Sequence, residues 1–237
     1  MSDASTFEPG GLAVVVGASG AIGGALADRL EQDPRFAQVL RLSRTGEPRL
    51  DLTDETTIQA AAEAAKGTGL PVRLVIDATG FLHDEDQRPE KTWRHLDRAK
   101  LAKAFDLNAI GPALVMKHFL PLLPRDGRVV FATLSARAAS LSENTIGGWY
   151  GYRASKAALN ALVRSAAAEL GRKAKGSICV ALHPGHVESK LSAPFGAGGH
   201  TSYDPDEAAA NLIGVLDALE PAQSGGFFDE TGVAIPY

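Results

Sequence analysis

Apolar strands and helical segments alternate along almost the whole chain. Runs such as LAVVV, VRLVIDAT and SICVAL are rich in β-branched residues, whereas the segments between them show helical periodicity over ten or more residues. Uninterrupted apolar strands are typical of a parallel sheet that is covered on both faces, because each helical crossover lies against the sheet. The sequence therefore predicts an α/β fold: a doubly wound parallel sheet with helices on both faces, in one domain over residues 1–237.

The spacing of these patterns gives predicted bounds for each element. Strands are expected at 12–16, 37–43, 72–79, 128–135, 176–184 and 225–229, and helices at 21–31, 54–65, 93–123, 150–173 and 204–219. The long tract that starts at Trp93 is either broken or bent at Gly111-Pro112, because proline disfavours the interior of a helix. Segments 81–91 and 142–149 are polar and are expected to form surface loops.

The bulk composition excludes several classes of partner. The chain has 237 residues, 45% of them hydrophobic, which suits one compact domain with a sizeable core. A net charge of −4 gives no basic surface for nucleic acid or for an anionic membrane. The single cysteine, Cys179, lies in an apolar run and excludes an internal disulfide. Asp3 and Glu8 precede an uncharged segment where a secretory signal needs basic residues, so we expect a soluble, cytoplasmic protein.

A glycine-rich turn joins the first predicted strand to the first predicted helix. Within VVVGASGAIGG, Gly17 and Gly23 permit a tight bend and a close approach of the helix to the sheet. The N-terminus of that helix offers unpaired N–H groups to a pyrophosphate. However, Ala21 stands where a dinucleotide-binding turn has its middle glycine, and its methyl group is expected where the backbone approaches the ligand. The turn by itself is compatible with either a phosphate site or a small-residue bend.

Two ionisable side chains lie near the start of the longest predicted helix. Tyr152 and Lys156 are four residues apart, so both leave the same face of the helix. A phenol has a pKa of about 10 and is a poor acid-base catalyst at neutral pH, but an ammonium one turn away favours the phenolate and lowers that pKa. Ser135 is the last residue of the fourth predicted strand, at the sheet's carboxyl edge, where its hydroxyl would hold a substrate oxygen. This arrangement indicates acid-base chemistry with Tyr152 as the proton donor.

Several motifs in register resemble those of the short-chain dehydrogenase/reductase family. GASGAIG at 17–23 resembles the family's glycine turn, and YRASK resembles its Tyr-x-x-x-Lys motif. Asn108 in FDLNAIGP stands where the family has a helix asparagine, and HPGHVES resembles its Pro-Gly turn with Ser189 in place of threonine. Two positions depart from the pattern: Ala21, and DATG at 77–80, where the family usually has Asn-Asn-Ala-Gly. The resemblance covers nearly the whole chain.

The resemblance implies a Rossmann-like fold and a pyrophosphate bound on the Ala21 turn. GGWYGYRASKAALN, the LHPG turn and the tail SGGFFDETGVAIPY are most similar to the branch of C-factor-type and sniffer-type carbonyl reductases. By this resemblance, Ser135 and Tyr152 bind a carbonyl oxygen and Tyr152 gives the proton. Lys156 holds the nicotinamide ribose, and Asn108 supports a water that connects Lys156 to solvent.

The end of the second predicted strand indicates which nucleotide is bound. An acidic residue there selects NAD, but the sequence has Ser43 and Arg44 in RLSRT. A guanidinium suits a phosphate, so NADP(H) is favoured over NAD(H), with Ser19 and Arg44 at the 2′-phosphate; a solvated surface charge is the alternative for Arg44. The other cofactor residues expected from the resemblance are Gly17, Ala21, Ile22, Gly23, Asp51, Leu52, Ala78, Gly80, Tyr152, Lys156, Pro184, Val187 and Ser189.

The predicted function is an NADP-dependent oxidoreductase that interconverts a carbonyl and an alcohol on a small substrate. The alternative is an NADP-binding regulatory or signalling protein with incidental reductase activity. An epimerase or dehydratase fits less well, because such relatives carry a substrate domain for which this chain has no room. We expect a homodimer or homotetramer, with no nucleic-acid or membrane partner.

Two further groups of residues have to be weighed as ligand sites. His183 and His186 are three apart, but the Pro-Gly pair between them rules out a helical arrangement and no spacing supplies a third ligand, so we expect no metal site. Trp149 and Phe195 flank loops at the carboxyl edge of the sheet and are expected in the wall of the substrate site.

Overall fold

A six-stranded parallel sheet runs through the centre of the structure, a computed structural model that describes residues 7–196 and 201–237. The strands are β1 (Gly11–Val16), β2 (Phe36–Leu42), β3 (Val72–Asp77), β4 (Val129–Leu134), β5 (Ser177–Leu182), β6 (His186–Val187), β7 (Ser202–Tyr203) and β8 (Phe227–Phe228). The order across the sheet is β2-β1-β3-β4-β5-β8, while β6 and β7 form a separate parallel pair. Because β2 and β3 lie on opposite sides of β1, a crevice opens at the carboxyl ends of β1 and β3.

Helices cover both faces of the sheet, as the sequence predicts. They are α1 (Ala21–Glu31), α2 (Glu55–Gly67), α3 (Arg98–Phe105), α4 (Gly111–Phe119), α5 (Tyr150–Lys173) and α6 (Pro205–Ala218). Apolar side chains of α1 and α6 pack on one face, and those of α2, α4 and α5 pack on the other. The doubly wound parallel sheet is therefore confirmed.

The central strands are buried on both faces, which explains their continuous apolar sequence. In β1, the side chains of Leu12, Val14 and Val16 join the core beneath α2, α4 and α5, whereas those of Ala13 and Val15 join the core beneath α1 and α6. Successive side chains of a strand point to opposite faces, so one short run supplies both cores. Each fully buried valine or leucine stabilises the fold by about 1.5–3 kcal/mol.

The long helical tract does not break at Gly111-Pro112, but it begins at Arg98 and not at Trp93, because Leu96 and Asp97 are extended. α3 runs into a π-helical turn over Asp106–Ile110, and α4 follows directly. Pro112 lies in the first turn of α4, directly after the π turn. The wider π turn carries Asn108, whose side chain is fully buried.

The expectation of a surface loop over 81–91 is wrong in part, because this segment supports the start of α5. Glu90 is buried; its carbonyl accepts a hydrogen bond from the Trp149 N–H at 2.5 Å, and its Oε2 accepts one from the Gly151 N–H at 3.1 Å. Trp149 has a φ of +52°, a conformation that is unusual for a bulky residue. Glu90 therefore fixes the backbone immediately before Tyr152.

Gly17 and Gly23 bring the start of α1 against the end of β1. Gly17 has a φ of +84°, which favours glycine, and a Cβ added at Gly23 would lie 2.3 Å from the Gly17 carbonyl oxygen. The backbone atoms in this contact cannot move aside without unmaking the turn. The two glycines are thus required by the close approach, as the sequence predicts.

We expect Gly23→Ala to lower the free energy of unfolding by about 1–3 kcal/mol, because the added methyl overpacks a backbone contact. Urea denaturation followed by circular dichroism measures this change. Gly171→Ala is the matched control: it lies in α5 with nothing within 4 Å of an added Cβ. The control should gain up to about 1 kcal/mol from helix propensity. A Gly23→Ala variant as stable as the control would contradict the close approach.

Candidate active site

A groove of about 490 Å³ lies at the carboxyl ends of β1, β2 and β3. It follows the glycine turn, the segment after β2 and the segment after β3. The sequence-predicted cofactor residues that line it are Gly17, Ser19, Ser43, Arg44, Asp51, Leu52, Ala78 and Gly80. These residues come from three separate parts of the chain, and the sheet brings them together.

The N-terminus of α1 opens into this groove without a side-chain cap. Gly20 is the N-cap residue, and the first turn holds no acidic side chain. A helix N-terminus in this state presents free N–H groups and the positive end of the helix dipole, which favour a bound anion. Ala21 is exposed at the first position of α1 and lines neither cavity of the site, whereas Gly20 lines the groove. The contact of Ala21 with a pyrophosphate stays a prediction.

Two ionisable side chains at the outer end of the groove, Arg44 and Asp51, differ in whether they already have a partner. Within the described residues, Arg44 is exposed and makes no ion pair, so its guanidinium is available to a ligand. Asp51 is already engaged: it accepts hydrogen bonds from the Thr53 N–H at 3.0 Å and from Arg49 at 2.9 Å. These bonds, chiefly the one from the Thr53 backbone, lower the pKa of Asp51 and keep it ionised.

A second cavity, of about 780 Å³, adjoins the groove beyond β4 and β5. The sequence-predicted residues that line it are Ile22, Ser135, Tyr152, Pro184, Val187 and Ser189. Leu191 lines both cavities, so the two spaces meet at this side chain. Ser135 is 4% exposed, and its hydroxyl has no hydrogen-bond partner within the described residues. A buried, unpaired hydroxyl in a cavity wall lowers stability unless a ligand forms a hydrogen bond with it.

Lys156 lies behind the cavity and is fully buried. Its Nζ donates to the carbonyl oxygen of Leu134 at 2.7 Å and is 3.5 Å from that of Thr79. A Cβ at Gly80 would lie 3.6 Å from the same Nζ. The ammonium thus sits between the ends of β3 and β4. Burial lowers the pKa of Lys156 to about 8, against an opposing attraction from Asp77.

Burial determines the pKa of the Tyr152 phenol in this geometry. Burial raises the pKa of Tyr152 to about 12, so the hydroxyl stays protonated at neutral pH. The net shift is therefore upward, opposite to the expected one, because the Lys156 ammonium is directed to the two carbonyls and does not offset the burial of the phenol. Tyr150, the neighbouring tyrosine, lies outside both cavities.

Asn108 clasps the backbone of the segment after β3. Its Oδ1 accepts from the Phe81 N–H at 2.8 Å, and its Nδ2 donates to the Phe81 carbonyl at 2.7 Å and to the Ser155 hydroxyl at 3.1 Å. The resemblance assigned to Asn108 the support of a water beside Lys156. In the structure its amide joins the π turn to the segment after β3 and to α5, and the support of a water stays a prediction.

An aromatic row forms one side of the second cavity. The Trp149 ring makes edge contacts with Tyr152 and Phe195, with centroids 6.1 and 5.1 Å apart, and Phe195 contacts His83 at 5.3 Å. Both Trp149 and Phe195 line the cavity, so the structure brings them to the place expected from the sequence.

Some residues of the site were missed by sequence analysis. Thr79 lines the groove and offers its carbonyl to Lys156, yet the sequence shows it only as a departure from a motif. Asp77 is fully buried below it. Gly23, like Asn108 and Lys156, lies behind the cavities and lines neither. No sequence pattern predicts how deeply Asp77 and Lys156 are buried, since their burial depends on how β3 and β4 pair.

The two histidines weighed as metal ligands, His183 and His186, also line the second cavity. Among residues 7–196 and 201–237, no group of three or more His, Cys, Asp and Glu side chains is placed to hold a metal ion.

Cys179 is buried in β5, and burial raises the pKa of its thiol to about 12. In the part of the chain that the structure describes, no helix is long and apolar enough to cross a membrane.

Comparisons with known proteins agree with this architecture. Residues 21–220 match the family model described as "Enoyl-(Acyl carrier protein) reductase". The C-signal of Myxococcus xanthus is 37% identical over 142 residues, which are 60% of this chain and 81% of that protein. The 1-hydroxy-2-glutathionyl-2-methyl-3-butene dehydrogenase of Rhodococcus sp. strain AD45 is 31% identical over 193 residues, which are 81% of this chain and 80% of that protein.

A solved structure shares the whole fold. The NADPH-bound carbonyl reductase from chicken fatty liver superposes with a TM-score of 0.84 and 23% identity, over 97% of this chain and 95% of that one. The fold and the comparisons define an oxidoreductase with a Rossmann-like dinucleotide-binding architecture. The chain belongs to the short-chain dehydrogenase/reductase family, and the branch expected from the sequence is confirmed.

We expect Asn108→Asp to lower the free energy of unfolding by about 2–3 kcal/mol, because a carboxylate cannot donate to the Phe81 carbonyl and leaves a buried acceptor unpaired. Thermal and urea denaturation measure the loss. Asn144→Asp is the control, since exposed Asn144 only accepts a hydrogen bond from the Gly147 N–H, which a carboxylate accepts equally well. Equal stability of the two variants would show that the Asn108 clasp does not hold the π turn.

Proposed function

We propose that this protein is an NADP-dependent reductase that interconverts a carbonyl and an alcohol on a small substrate, within one domain that holds both cofactor and substrate. One observation supports this most directly. The unpaired Ser135 hydroxyl and the protonated Tyr152 phenol line the same cavity, and the buried Lys156 ammonium lies behind them. Two hydroxyl-bearing side chains in the wall of one cavity suit a carbonyl oxygen, which gains charge during reduction.

The groove fits a dinucleotide phosphate. The uncapped α1 N-terminus suits the pyrophosphate, and the unpaired Arg44 at the outer end suits a 2′-phosphate. Among the described residues that line the groove, both acidic side chains are already engaged: Asp51 is bound to Thr53 and Arg49, and Asp84 is bound to Lys103. The chicken carbonyl reductase carries NADPH as its bound nucleotide, which supports the same choice. When bound, this cofactor supplies the hydride.

In the proposed mechanism, Ser135 and Tyr152 hold the substrate's carbonyl oxygen by donating hydrogen bonds. As the hydride reaches the carbonyl carbon, the proton on the Tyr152 Oη moves to the oxygen and gives the alcohol. The phenolate left behind needs a nearby positive charge, because burial strongly disfavours it. In this proposal Lys156, one helical turn away, supplies that charge, and it holds the ribose hydroxyls when the nucleotide is bound. Trp149 and Phe195 exclude water from this side of the cavity.

Tyr152→Phe should lower kcat/KM for NADPH-dependent reduction by about 10²–10⁴-fold, because only the transferable proton is removed. NADPH affinity should stay near that of the wild type, as measured by isothermal titration. The matched control is Tyr150→Phe, which removes a hydroxyl two residues away from outside the cavities. Wild-type turnover in Tyr152→Phe would contradict the assignment of the proton donor.

Arg44→Ala should weaken NADPH binding about tenfold to a hundredfold and leave NADH binding nearly unchanged, since it removes a charge-assisted contact to the 2′-phosphate. Arg94→Ala is the control: it removes an equal charge from an exposed side chain that lies outside the groove. Fluorescence titration with both nucleotides measures the preference. The same loss of NADPH affinity in both variants would show a general charge effect and no phosphate site at Arg44.

A signalling role is the alternative that the relatives keep open, because one of them is named C-signal. The intact set Ser135, Tyr152 and Lys156 favours catalysis. Turnover of NADPH against a panel of aldehydes and diketones separates the two functions, since a binding module saturates with cofactor and does not consume it. Binding without consumption across the panel would favour the signalling role.

We further propose that the protein acts in the cytoplasm as a homodimer or homotetramer. A free, buried Cys179 suits a reducing compartment. Exposed apolar side chains on the π turn and on α5, Ile110 and Leu162, suit an interface between subunits. Sedimentation equilibrium measures the number of subunits.

A further inference from the structure

A fully buried carboxylate lies directly beneath the site and has no part in the mechanism above. Asp77 is the last residue of β3, pairs in register with Val16 of β1 and Thr133 of β4, and has 0% exposure. It stands where the family usually has an asparagine, so this chain places an additional ionisable group at the centre of its sheet. A buried charge is costly unless something nearby compensates it.

Two bridges connect Asp77 to Lys156. In the first, the Thr79 hydroxyl donates to Asp77 Oδ1 at 2.6 Å and the Thr79 N–H to the same oxygen at 3.1 Å, while the Thr79 carbonyl lies 3.5 Å from the Lys156 Nζ. In the second, the Thr133 hydroxyl donates to Asp77 Oδ2 at 3.1 Å, and the next residue, Leu134, accepts from the Lys156 Nζ at 2.7 Å. Both carbonyls at the ammonium therefore belong to segments that Asp77 holds.

We propose that Asp77 is a positioning residue that acts through Lys156: its carboxylate is the buried counter-charge that keeps the lysine cationic and fixes the two carbonyls that orient it. This inference rests on the proposed reductase function for its kinetic consequence, but the pairing of the two charges is independent of it.

The charges around the pair are few. From β3 and the segment after it, Asp77 is faced by Thr79; from β4, by Thr133; and from α5, by Lys156, whose attraction opposes the rise that burial causes in the pKa of Asp77. Asp77 is likewise the charge that opposes the fall that burial causes in the pKa of Lys156. Tyr152, the other titratable group of this part of α5, is neutral at neutral pH because burial raises its pKa to about 12.

The sign of the effect follows from these contacts. Burial favours the neutral amine of Lys156, and a carboxylate nearby favours the ammonium. Without the Asp77 charge, Lys156 loses its proton at a lower pH than in the wild type. The alkaline limb of the reductase pH profile, where the cation that supports proton transfer from Tyr152 is lost, should move in the same direction.

Asp77→Asn is the direct test, because asparagine keeps the shape and can still accept from Thr79. The profile of kcat/KM against pH for NADPH-dependent reduction should have its alkaline midpoint lowered by about one unit or more. Thr133→Val is the control, since it removes one hydrogen bond from the same carboxylate and keeps its charge. A large shift in Asp77→Asn and a small one in Thr133→Val support the proposal; equal shifts, or none in Asp77→Asn, overturn it.

A second measurement does not depend on activity. In protein labelled with ¹³C at the lysine ε carbon, the Lys156 resonance, identified by its loss in Lys156→Met, should titrate at lower pH in Asp77→Asn than in the wild type. An unchanged titration overturns the counter-charge even if the protein reduces no substrate, whereas a shifted titration without any turnover overturns the reductase function alone.

The wild type provides a further test if Asp77→Asn does not fold. The ¹³C resonance of the Asp77 carboxyl carbon should have the shift of an ionised carboxylate at neutral pH. The shift of a protonated carboxyl group at that pH would overturn the proposal, because a neutral Asp77 cannot compensate the charge of Lys156.

Discussion

The burial of the Lys156 ammonium between the ends of β3 and β4 is the constraint on which the rest of the site depends. Its contacts with the Leu134 and Thr79 carbonyls require that the two strands end at the same level of the sheet. Once Lys156 is fixed, Tyr152 lies one helical turn before it, over the cavity, and Ser135 lies one residue after Leu134. The geometry of the candidate site is therefore a consequence of strand pairing as much as of the Tyr-x-x-x-Lys spacing.

The start of α5 is held from a different part of the chain. Glu90 binds the Trp149 and Gly151 N–H groups, and Asn108 binds Phe81 and Ser155, so the segments after β3 and the π turn both brace the helix that carries Tyr152. These buried polar contacts lie beside the site, although they join segments that are far apart in the chain. Such networks favour one geometry over others, because an unpaired buried group is costly. The strained backbone at Trp149 is sustained by the same contacts.

The sequence predicted the fold well because the strands are buried on both faces and the helices are periodic. Patterns of this kind can be recognised in the sequence without knowledge of the tertiary structure. It also predicted that Ser135 and Tyr152 would meet at the carboxyl edge, since parallel strands end there. The π turn at Asn108, the burial of Glu90 and the direction of the Lys156 side chain were not predictable. Each depends on contacts between segments far apart in the chain, and a polar residue in a loop has no sequence pattern that marks it as buried.

In the proposed reaction a carbonyl carbon receives a hydride while Tyr152 supplies the proton. NADPH deuterated at its hydride-donating carbon tests this directly, with a panel of aldehydes and diketones and mass spectrometry of the products. We expect the wild type to form an alcohol that carries one deuterium on the former carbonyl carbon. With Tyr152→Phe this product should be nearly absent. Cofactor binding without deuterium in any product, or equal transfer by the wild type and Tyr152→Phe, would contradict it.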